Sequence, residues 1–336
     1  MNISDFDYEL PEELIAQTAI EPRSSSRLLH IDKASGEIYH RQFLDCIDLL
    51  ESDDLLVLNE TRVTARRVFG QKATGGQVEF LILRQIKNHE VLAMAKPAKR
   101  LKVGARIRLE SGEEVEVTGE LESGIRQIKF LESQNLGKTL GKLGRIPLPP
   151  YIHTLLEDEE RYQTTYSSIG GSAAAPTAGL HFTAEVFEQL SKKGVQFTKV
   201  SLDVGLDTFR PIMAETTEAH EMHGETCRVG AETVSAIQNC AGRVIAVGTT
   251  SVRTIESFSK GHRQLSEGEM STHLFITPGY QWRTIDGMFT NFHMPRTTML
   301  LMLAALCGKS ALLSAYDQAV KNRYRFLSLG DSMLIL

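Results

Sequence analysis

Several features that mark secreted, membrane-spanning or zinc-binding proteins are missing from this sequence of 336 residues. Its four cysteines are scattered and never form a C-x-x-C pair, so we expect reduced thiols and neither disulfides nor a zinc site. The opening MNISDFDYEL is acidic and lacks the apolar stretch of a signal peptide. The longest apolar run, Met299 to Cys307, is far shorter than the roughly 20 residues of a membrane-spanning helix. The sequence therefore predicts a soluble, cytoplasmic protein.

The net charge is only −5, but it is unevenly distributed along the chain. Residues 61–110 contain twelve lysines and arginines against three glutamates, a local net charge of +9, which leaves −14 for the remainder. A split of this size indicates a region that meets a polyanion. From charge alone, the solvated face of a β domain explains the same pattern at least as well.

The texture of the sequence changes twice and indicates two structural regions. A segment with a helical pattern, EELIAQTA, and an apolar strand come first. Short segments in which apolar and polar residues alternate, such as QVEFLILR and EVEVTGE, then fill residues 65–130, as in a small antiparallel barrel. After about Tyr162, strands, polar loops and helices alternate, which places chemistry at the carboxyl ends of strands. We predict a three-layer α/β body of residues 1–64 and 153–336, with an antiparallel β-barrel domain of residues 65–152 inserted in it.

Two loops of the α/β region have compositions that suit ligand binding. The loop Tyr166–Phe182 is rich in Gly, Ala and Ser, so its backbone can approach a ligand closely, and it contains His181 near its end. It matches neither a P-loop, a G-x-G-x-x-G fingerprint nor a G-x-S-x-G elbow, and a flexible surface loop is the alternative. Thr249 and Thr250 stand where a strand meets a helix N-terminus, a position that binds anions or simply caps the helix.

Two further segments carry histidines. AHEMHGE brings His220, His223 and Glu225 together, and on a helix the two histidines would share a face and could bind a metal. No third ligand has suitable spacing, so an acid–base role is favoured. His293 lies in TNFHMP, where a single histidine is usually packed and satisfied.

Taken together, these segments resemble the S-adenosylmethionine:tRNA ribosyltransferase-isomerase family of queuosine biosynthesis. The most specific matching pieces are APTAGLHFT, AVGTTSVRT and TNFHMP, and others run through nearly the whole chain. The resemblance implies an α/β body with an inserted barrel and an enzyme that uses S-adenosylmethionine as a ribosyl donor. It also implies transfer to 7-aminomethyl-7-deazaguanine in a tRNA anticodon and isomerisation to epoxyqueuosine, with release of adenine and methionine.

That reaction needs a base for an acidic C5′ proton beside the sulfonium and an acid for departing adenine, and histidines that titrate near neutral pH suit both roles. The candidate catalytic residues are His181, His223, Glu225 and His293. The candidate cofactor-binding residues are Pro176, Thr177, Ala178, Gly179, Thr249, Thr250 and Arg253. The candidate RNA-binding residues, which would meet phosphates, are Arg62, Arg66, Arg67, Lys96, Lys99 and Arg100. No metal is expected, and we expect a monomer.

The sequence departs from the pattern expected for this family at Asp203, Asp207, Gly224 and Ala65, so the identity of the base stays open. Three other functions remain to be separated. A methyltransferase using the same cofactor would form S-adenosylhomocysteine. Such enzymes have several glycines in the turn after the strand that binds the cofactor, and here no further glycine follows Gly205 in that turn. A non-catalytic RNA-binding protein would explain the +9 segment but not the polar loops, and a metal-dependent hydrolase would contain bound metal.

Overall fold

The computed structural model describes residues 1–336 except 133–135, 137–138, 141–142 and 206–211. Contacts divide the chain into two compact units, which we call the α/β unit and the barrel unit. The α/β unit consists of Met1–Thr61, Pro149–Ile169 and Ala175–Leu336. The barrel unit consists of Arg62–Leu148 and Gly170–Ala174.

The secondary structure is a mixture of strands and short helices. The described strands are β1 (Arg27–Ile31), β2 (Ile38–Gln42), β3 (Leu55–Asn59), β4 (Thr61–Val63), β5 (Arg66–Lys72), β6 (Gln77–Lys87), β7 (Glu90–Lys96), β8 (Arg106–Leu109), β9 (Glu114–Glu120), β10 (Ile125–Phe130), β11 (Ile169–Ser172), β12 (Gln196–Leu202), β13 (Glu225–Val229), β14 (Val244–Val247), β15 (Ser259–Gly261), β16 (Gln264–Leu265), β17 (Gly268–Thr272), β18 (Gly287–Asn291) and β19 (Ser332–Ile335). The described α-helices are α1 (Cys46–Leu49), α2 (Ala184–Lys193), α3 (Ala231–Gln238), α4 (Thr249–Phe258), α5 (Thr298–Cys307) and α6 (Lys309–Lys321).

A mixed sheet with the strand order β17-β13-β12-β3-β14-β18-β19-β1-β2 lies in the α/β unit. Strands β12, β3, β14 and β18 are mutually parallel, so their carboxyl ends meet at one edge of the sheet. Strand β13 runs antiparallel to β12 and therefore begins at that same edge, with Glu225. We call this the carboxyl edge, and it is where the sequence predicts that the chemistry lies.

The helices of the α/β unit follow from local sequence signals. Helix α2 begins after Thr183, whose hydroxyl accepts a hydrogen bond from the backbone N–H of Val186. It ends at Gly194, whose φ of 99° lies in the left-handed region that favours glycine. Helix α5 contains the whole of the long apolar run and buries most of its side chains in the unit. No single helix among the described residues is long and apolar enough to cross a bilayer, although the pair α5–α6, bent by 116°, meets that test by length and composition.

The barrel unit is a closed antiparallel barrel with the strand order β10-β7-β6-β5-β8-β9. Alternate residues of its strands point inwards and form one apolar core that includes Phe80, Val91, Val117 and Phe130. The β5–β6 hairpin turns at Gly75, where φ is +85°. The predicted combination of an α/β body with an antiparallel barrel is confirmed.

The helix predicted at EELIAQTA is wrong. Only Glu12–Leu14 forms a 3₁₀ turn, and the chain then becomes extended. The N–H of Phe326 donates to the carbonyl of Leu14, and the N–H of Ala16 donates to the carbonyl of Phe326. This strand-like pairing with a segment some 300 residues away satisfies backbone groups that a helix would have used.

Candidate active site

Two neighbouring cavities open at the carboxyl edge of the α/β unit. The larger, of about 600 Å³, is lined mainly by residues 219–225, 274–276 and the first turns of α4 and α5. The smaller, of about 70 Å³, is lined by residues 175–178 and 290–294 together with Tyr151 and Ser328. Both cavities are lined by Thr249, Thr250 and Met299, so these residues form a shared wall.

A buried ion pair forms part of the larger cavity. The Arg253 Nη1 donates to Glu225 Oε2, and both side chains are about nine-tenths buried. Arg253 also donates from Nη2 to the carbonyl of Thr272 at 3.2 Å and from Nε to that of Leu274 at 3.2 Å. The N–H of Gly205 donates to Glu225 Oε1 at 3.0 Å. Three N–H groups of Arg253 thus donate to protein acceptors, and one of them holds the Glu225 carboxylate in the cavity wall.

Thr250 presents an unsatisfied polar group at the shared wall. Its side chain is 9% exposed, and its Oγ1 has no hydrogen-bond partner among the residues that the structure describes. The strand-to-helix turn before it contains Gly248, whose φ of 91° favours glycine and lets the helix start at once. Burying a hydroxyl without a partner is unfavourable by roughly 1–3 kcal/mol, so this atom suits a bound polar ligand.

His181 lies behind the smaller cavity and does not line it. Its Nδ1 is 2.8 Å from Ser26 Oγ and its Nε2 is 3.3 Å from Asn291 Nδ2. Asn291 Oδ1 in turn accepts from the Thr177 hydroxyl at 2.9 Å. Burial lowers the pKa of His181 to about 4, so the ring is neutral at pH 7. The expectation that it titrates near neutrality is wrong, and the ring instead joins Ser26 to Asn291 at the end of β18.

His293 lines the smaller cavity and is held from several sides. Its Nε2 is 2.7 Å from Thr290 Oγ1, its backbone N–H donates to Tyr316 Oη at 3.0 Å, and its carbonyl accepts from the Tyr8 hydroxyl. Burial lowers the pKa of this imidazole as well, so it also differs from the neutral-pH group expected from sequence. His293 is therefore a neutral hydrogen-bonding group of the cavity wall.

His223 lines the larger cavity and is exposed. Neither it nor His220 is helical, because a 3₁₀ turn ends at Ala219 and extended chain leads into β13. The shared helical face that would have suited a metal does not form. Among the described residues, no group of three or more His, Cys, Asp or Glu side chains has the arrangement of a metal site.

The predicted loop residues divide between cavity and core. Pro176, Thr177 and Ala178 line the smaller cavity, whereas Gly179 packs inside. A Cβ at position 179 would lie 2.0 Å from the Tyr166 Oη, so only glycine fits without a shift of that ring. The glycine of APTAGLHFT is thus explained by close packing.

The predicted RNA-binding residues all lie in the barrel unit. By sequence this unit has seventeen basic against nine acidic residues, a net charge of +8. Lys96, Lys99 and Arg100 are exposed around one turn. The other three are half-buried: Arg62, Arg66 and Arg67. Arg67 pairs with Glu79 at 3.2 Å.

The structure adds cavity residues that were not among the candidates from the sequence. Tyr151 Oη and Ser328 Oγ are 2.8 Å apart in the wall of the smaller cavity, and Asn291 is the central link described above. Tyr151 and Ser328 belong to GRIPLPPYI and YRFLSLGDSMLIL, two of the further segments that carry the family resemblance. Each residue lies in a matching segment, but no spacing in the sequence indicates that the two side chains meet.

The residues that depart from the expected family pattern lie in different surroundings. Asp203 is half-buried, and desolvation raises its pKa. A Cβ at Gly224 would lie 2.5 Å from Ser271 Oγ and 2.8 Å from His273 Cε1, so the larger residue expected there would displace its neighbours. Ala65 is buried, and Asp207 lies outside the described residues.

Comparison with known proteins now identifies the family. A sequence model described as "Queuosine biosynthesis protein" matches residues 3–335. The chain belongs to this family. A crystal structure of S-adenosylmethionine tRNA ribosyltransferase from Thermotoga maritima is 35% identical, with a TM-score of 0.58 over 99% of this chain and 100% of that one. The family expected from the three motifs is therefore confirmed.

Proposed function

We propose that this protein is an S-adenosylmethionine:tRNA ribosyltransferase-isomerase. It transfers the ribosyl part of S-adenosylmethionine to 7-aminomethyl-7-deazaguanine in a tRNA anticodon and isomerises it, giving epoxyqueuosine, adenine and methionine. Membership of the queuosine biosynthesis family and the 35% identity to a ribosyltransferase support this reaction. We expect the protein to act as a monomer in the cytoplasm, where its tRNA substrate would be modified.

The observation that carries the proposal is the pair of cavities with a shared wall. A two-substrate transfer needs both reacting groups to meet while each is bound separately. Thr249, Thr250 and Met299 stand between the two cavities, so a sugar at this wall would be reachable from both sides. The Thr250 hydroxyl, which has no partner in the described part of the chain, fits a ligand with polar groups, such as a nucleoside that carries an amino-acid arm.

The polar groups of the larger cavity supply candidates for proton transfer. When S-adenosylmethionine is bound, its sulfonium makes the neighbouring C5′ protons acidic. Glu225 is the candidate base, because Arg253 and the Gly205 N–H hold its carboxylate at the cavity wall. His223, exposed in the same cavity, is the candidate proton donor to adenine.

The two buried histidines take supporting roles in this proposal. Neutral His181 orients Asn291, and through it Thr177, at the smaller cavity. Neutral His293 offers a hydrogen bond at the cavity wall while Thr290 holds its other side. Pro176, Ala178 and the Thr177 side chain would then contact a bound base or sugar, whereas Gly179 shapes the loop beneath them.

The barrel unit is proposed to bind the RNA backbone. Its net charge of +8 suits phosphate contacts, which dominate the affinity of proteins for nucleic acids. The exposed turn residues are the strongest candidates, and the half-buried arginines add to the same charge. The full set is Arg62, Arg66, Arg67, Lys96, Lys99 and Arg100.

Isotope transfer tests the reaction directly. The protein is mixed with tRNA bearing the aminomethyl-deazaguanine and with S-adenosylmethionine labelled either in the ribose carbons or in the methyl group. We expect the tRNA to gain ribose label and no methyl label. Unmodified tRNA is the control and should gain neither, whereas methyl label in the tRNA would overturn the proposal in favour of a methyltransferase.

A further inference from the structure

The first turn of α4 leaves backbone donors unused at the shared cavity wall. The N–H of Gly248 donates to Phe289, and the N–H of Val252 is the first to bond back, to the carbonyl of Gly248 at 3.3 Å. Between them, the N–H groups of Thr249, Thr250 and Ser251 have no acceptor among the described residues. The residue before the helix is a glycine and offers no capping side chain.

A second, independent feature points to a ligand at the same place. Thr250 lines both cavities, and its buried hydroxyl oxygen has no partner among the residues described. The neighbouring Thr254 hydroxyl, by contrast, donates to the carbonyl of Thr250 at 2.9 Å. Free N–H groups, the positive end of a helix dipole and a hydroxyl donor together suit a negatively charged oxygen ligand.

Glu221 and Glu225 line the larger cavity, but neither is a buried, uncompensated charge, because Glu221 is exposed to solvent. The nearby carboxylate of Glu225 is compensated by Arg253, one turn along the same helix. His293, on the smaller-cavity side, is neutral at pH 7. No cationic side chain is needed, because the helix terminus and the hydroxyl supply the favourable potential.

The proposed substrates have two kinds of anionic group, the phosphates of the tRNA and the carboxylate of S-adenosylmethionine, and burial distinguishes between them. A phosphate inside an RNA chain must leave room for the chain on both sides. The Thr250 oxygen is almost inaccessible, and Met299 and Met302 cover the adjoining surface of the larger cavity. A terminal carboxylate on a short aliphatic arm can enter such a place with its methylene groups against the methionines.

We propose that the N-terminus of α4 and the Thr250 hydroxyl bind the α-carboxylate of the amino-acid moiety of S-adenosylmethionine. This assignment rests on the proposed function and makes it more specific. It places the amino-acid arm at the shared wall and gives Thr250 a defined role in selecting the donor. A donor without the carboxylate should lose this contact and bind more weakly.

Calorimetry without tRNA tests the assignment. S-adenosylmethionine and its decarboxylated analogue, which keeps the sulfonium and the amine, are titrated into wild type, Thr250→Val and the matched control Thr254→Val. Wild type should bind the analogue roughly tenfold or more weakly, and Thr250→Val should weaken S-adenosylmethionine by roughly tenfold. Thr250→Val should leave binding of the analogue unchanged, and Thr254→Val should leave both affinities unchanged.

Each other outcome has a distinct meaning. Equal weakening of both ligands by Thr250→Val would overturn the carboxylate assignment. In a separate filter-binding measurement with tRNA, weaker binding by Thr250→Val together with unchanged S-adenosylmethionine binding would overturn it in favour of a phosphate. If wild type binds no S-adenosylmethionine at all, the proposed function fails together with the subsite, whereas ribosyl transfer by wild type without carboxylate discrimination removes the subsite alone.

Discussion

Replacing Arg253 with methionine should destabilise the protein strongly. The change keeps a long side chain but removes the cation from Glu225, which is buried to about nine-tenths. It also removes the N–H groups that reach the carbonyls of Thr272 and Leu274. Removing one partner from a buried ion pair typically costs about 3–5 kcal/mol, because the remaining charge is uncompensated. We therefore expect the free energy of unfolding to fall by about that amount.

An exposed ion pair between strands β13 and β17 provides a matched control. Arg228 Nε lies 2.6 Å from Glu269, but their side chains are 47% and 56% exposed. Screening by water limits such pairs to about 0–1 kcal/mol, so Arg228→Met should have a small effect. Adding Glu225→Gln to Arg253→Met should recover part of the loss, because an amide carries no charge to leave unpaired.

Urea unfolding at pH 7 measures these differences. The midpoint and slope are recorded for both single variants, the double variant and wild type, and free energies are compared by linear extrapolation. If Arg253→Met lowers stability no more than Arg228→Met does, the ion pair between Arg253 and Glu225 does not contribute to stability as a buried pair should. The view of Glu225 as a carboxylate held in place by Arg253 would then be refuted.

Three further predictions concern other parts of the molecule. Because burial lowers the pKa of His181 to about 4, its contribution to stability is complete above pH 6.5 and decreases on acidification towards pH 4. Wild type should lose about 2 kcal/mol more between pH 7 and pH 5 than His181→Gln does in urea unfolding, and equal losses would contradict this. Gly179→Ala should lower stability by about 1–3 kcal/mol, because its Cβ would meet the Tyr166 hydroxyl oxygen. Adding Tyr166→Phe should restore only part of that loss in the same assay, because Thr164 Cγ2 and Cζ of residue 166 would still lie 2.9 Å from the new Cβ. No recovery at all would contradict a clash with the Tyr166 hydroxyl. In filter binding of tRNA, the slope of log affinity against log salt should become shallower by about one per exposed barrel cation replaced with glutamine. The residues to replace are the three exposed candidates Lys96, Lys99 and Arg100. An unchanged slope would exclude these side chains from the RNA contact.

The sequence was informative wherever structure depends on neighbouring residues. Alternation with a period of two predicted the barrel, since each strand faces one apolar core. Thr183 and Gly194 are local signals for the ends of α2, because capping acts within a few residues. Strands that alternate with helices likewise predict that the chemistry lies at the carboxyl edge.

Contacts between distant residues could not be predicted in this way. Glu225 and Arg253 are 28 positions apart, and His181 and Asn291 are 110 apart, with no periodicity that joins either pair. The lowered pKa of His181 depends on burial, which the sequence does not give for a loop residue. The extended chain at Ile15 depends on its pairing with Phe326, which overrides local helix preference.

The products of a single incubation test the central claim most directly. Protein, S-adenosylmethionine and tRNA bearing 7-aminomethyl-7-deazaguanine are combined, and small molecules and digested nucleosides are separated by chromatography with mass detection. Free adenine, free methionine and epoxyqueuosine should form in equal amounts. Formation of S-adenosylhomocysteine with a methylated nucleoside, while the sugar and adenine stay joined, would contradict the account.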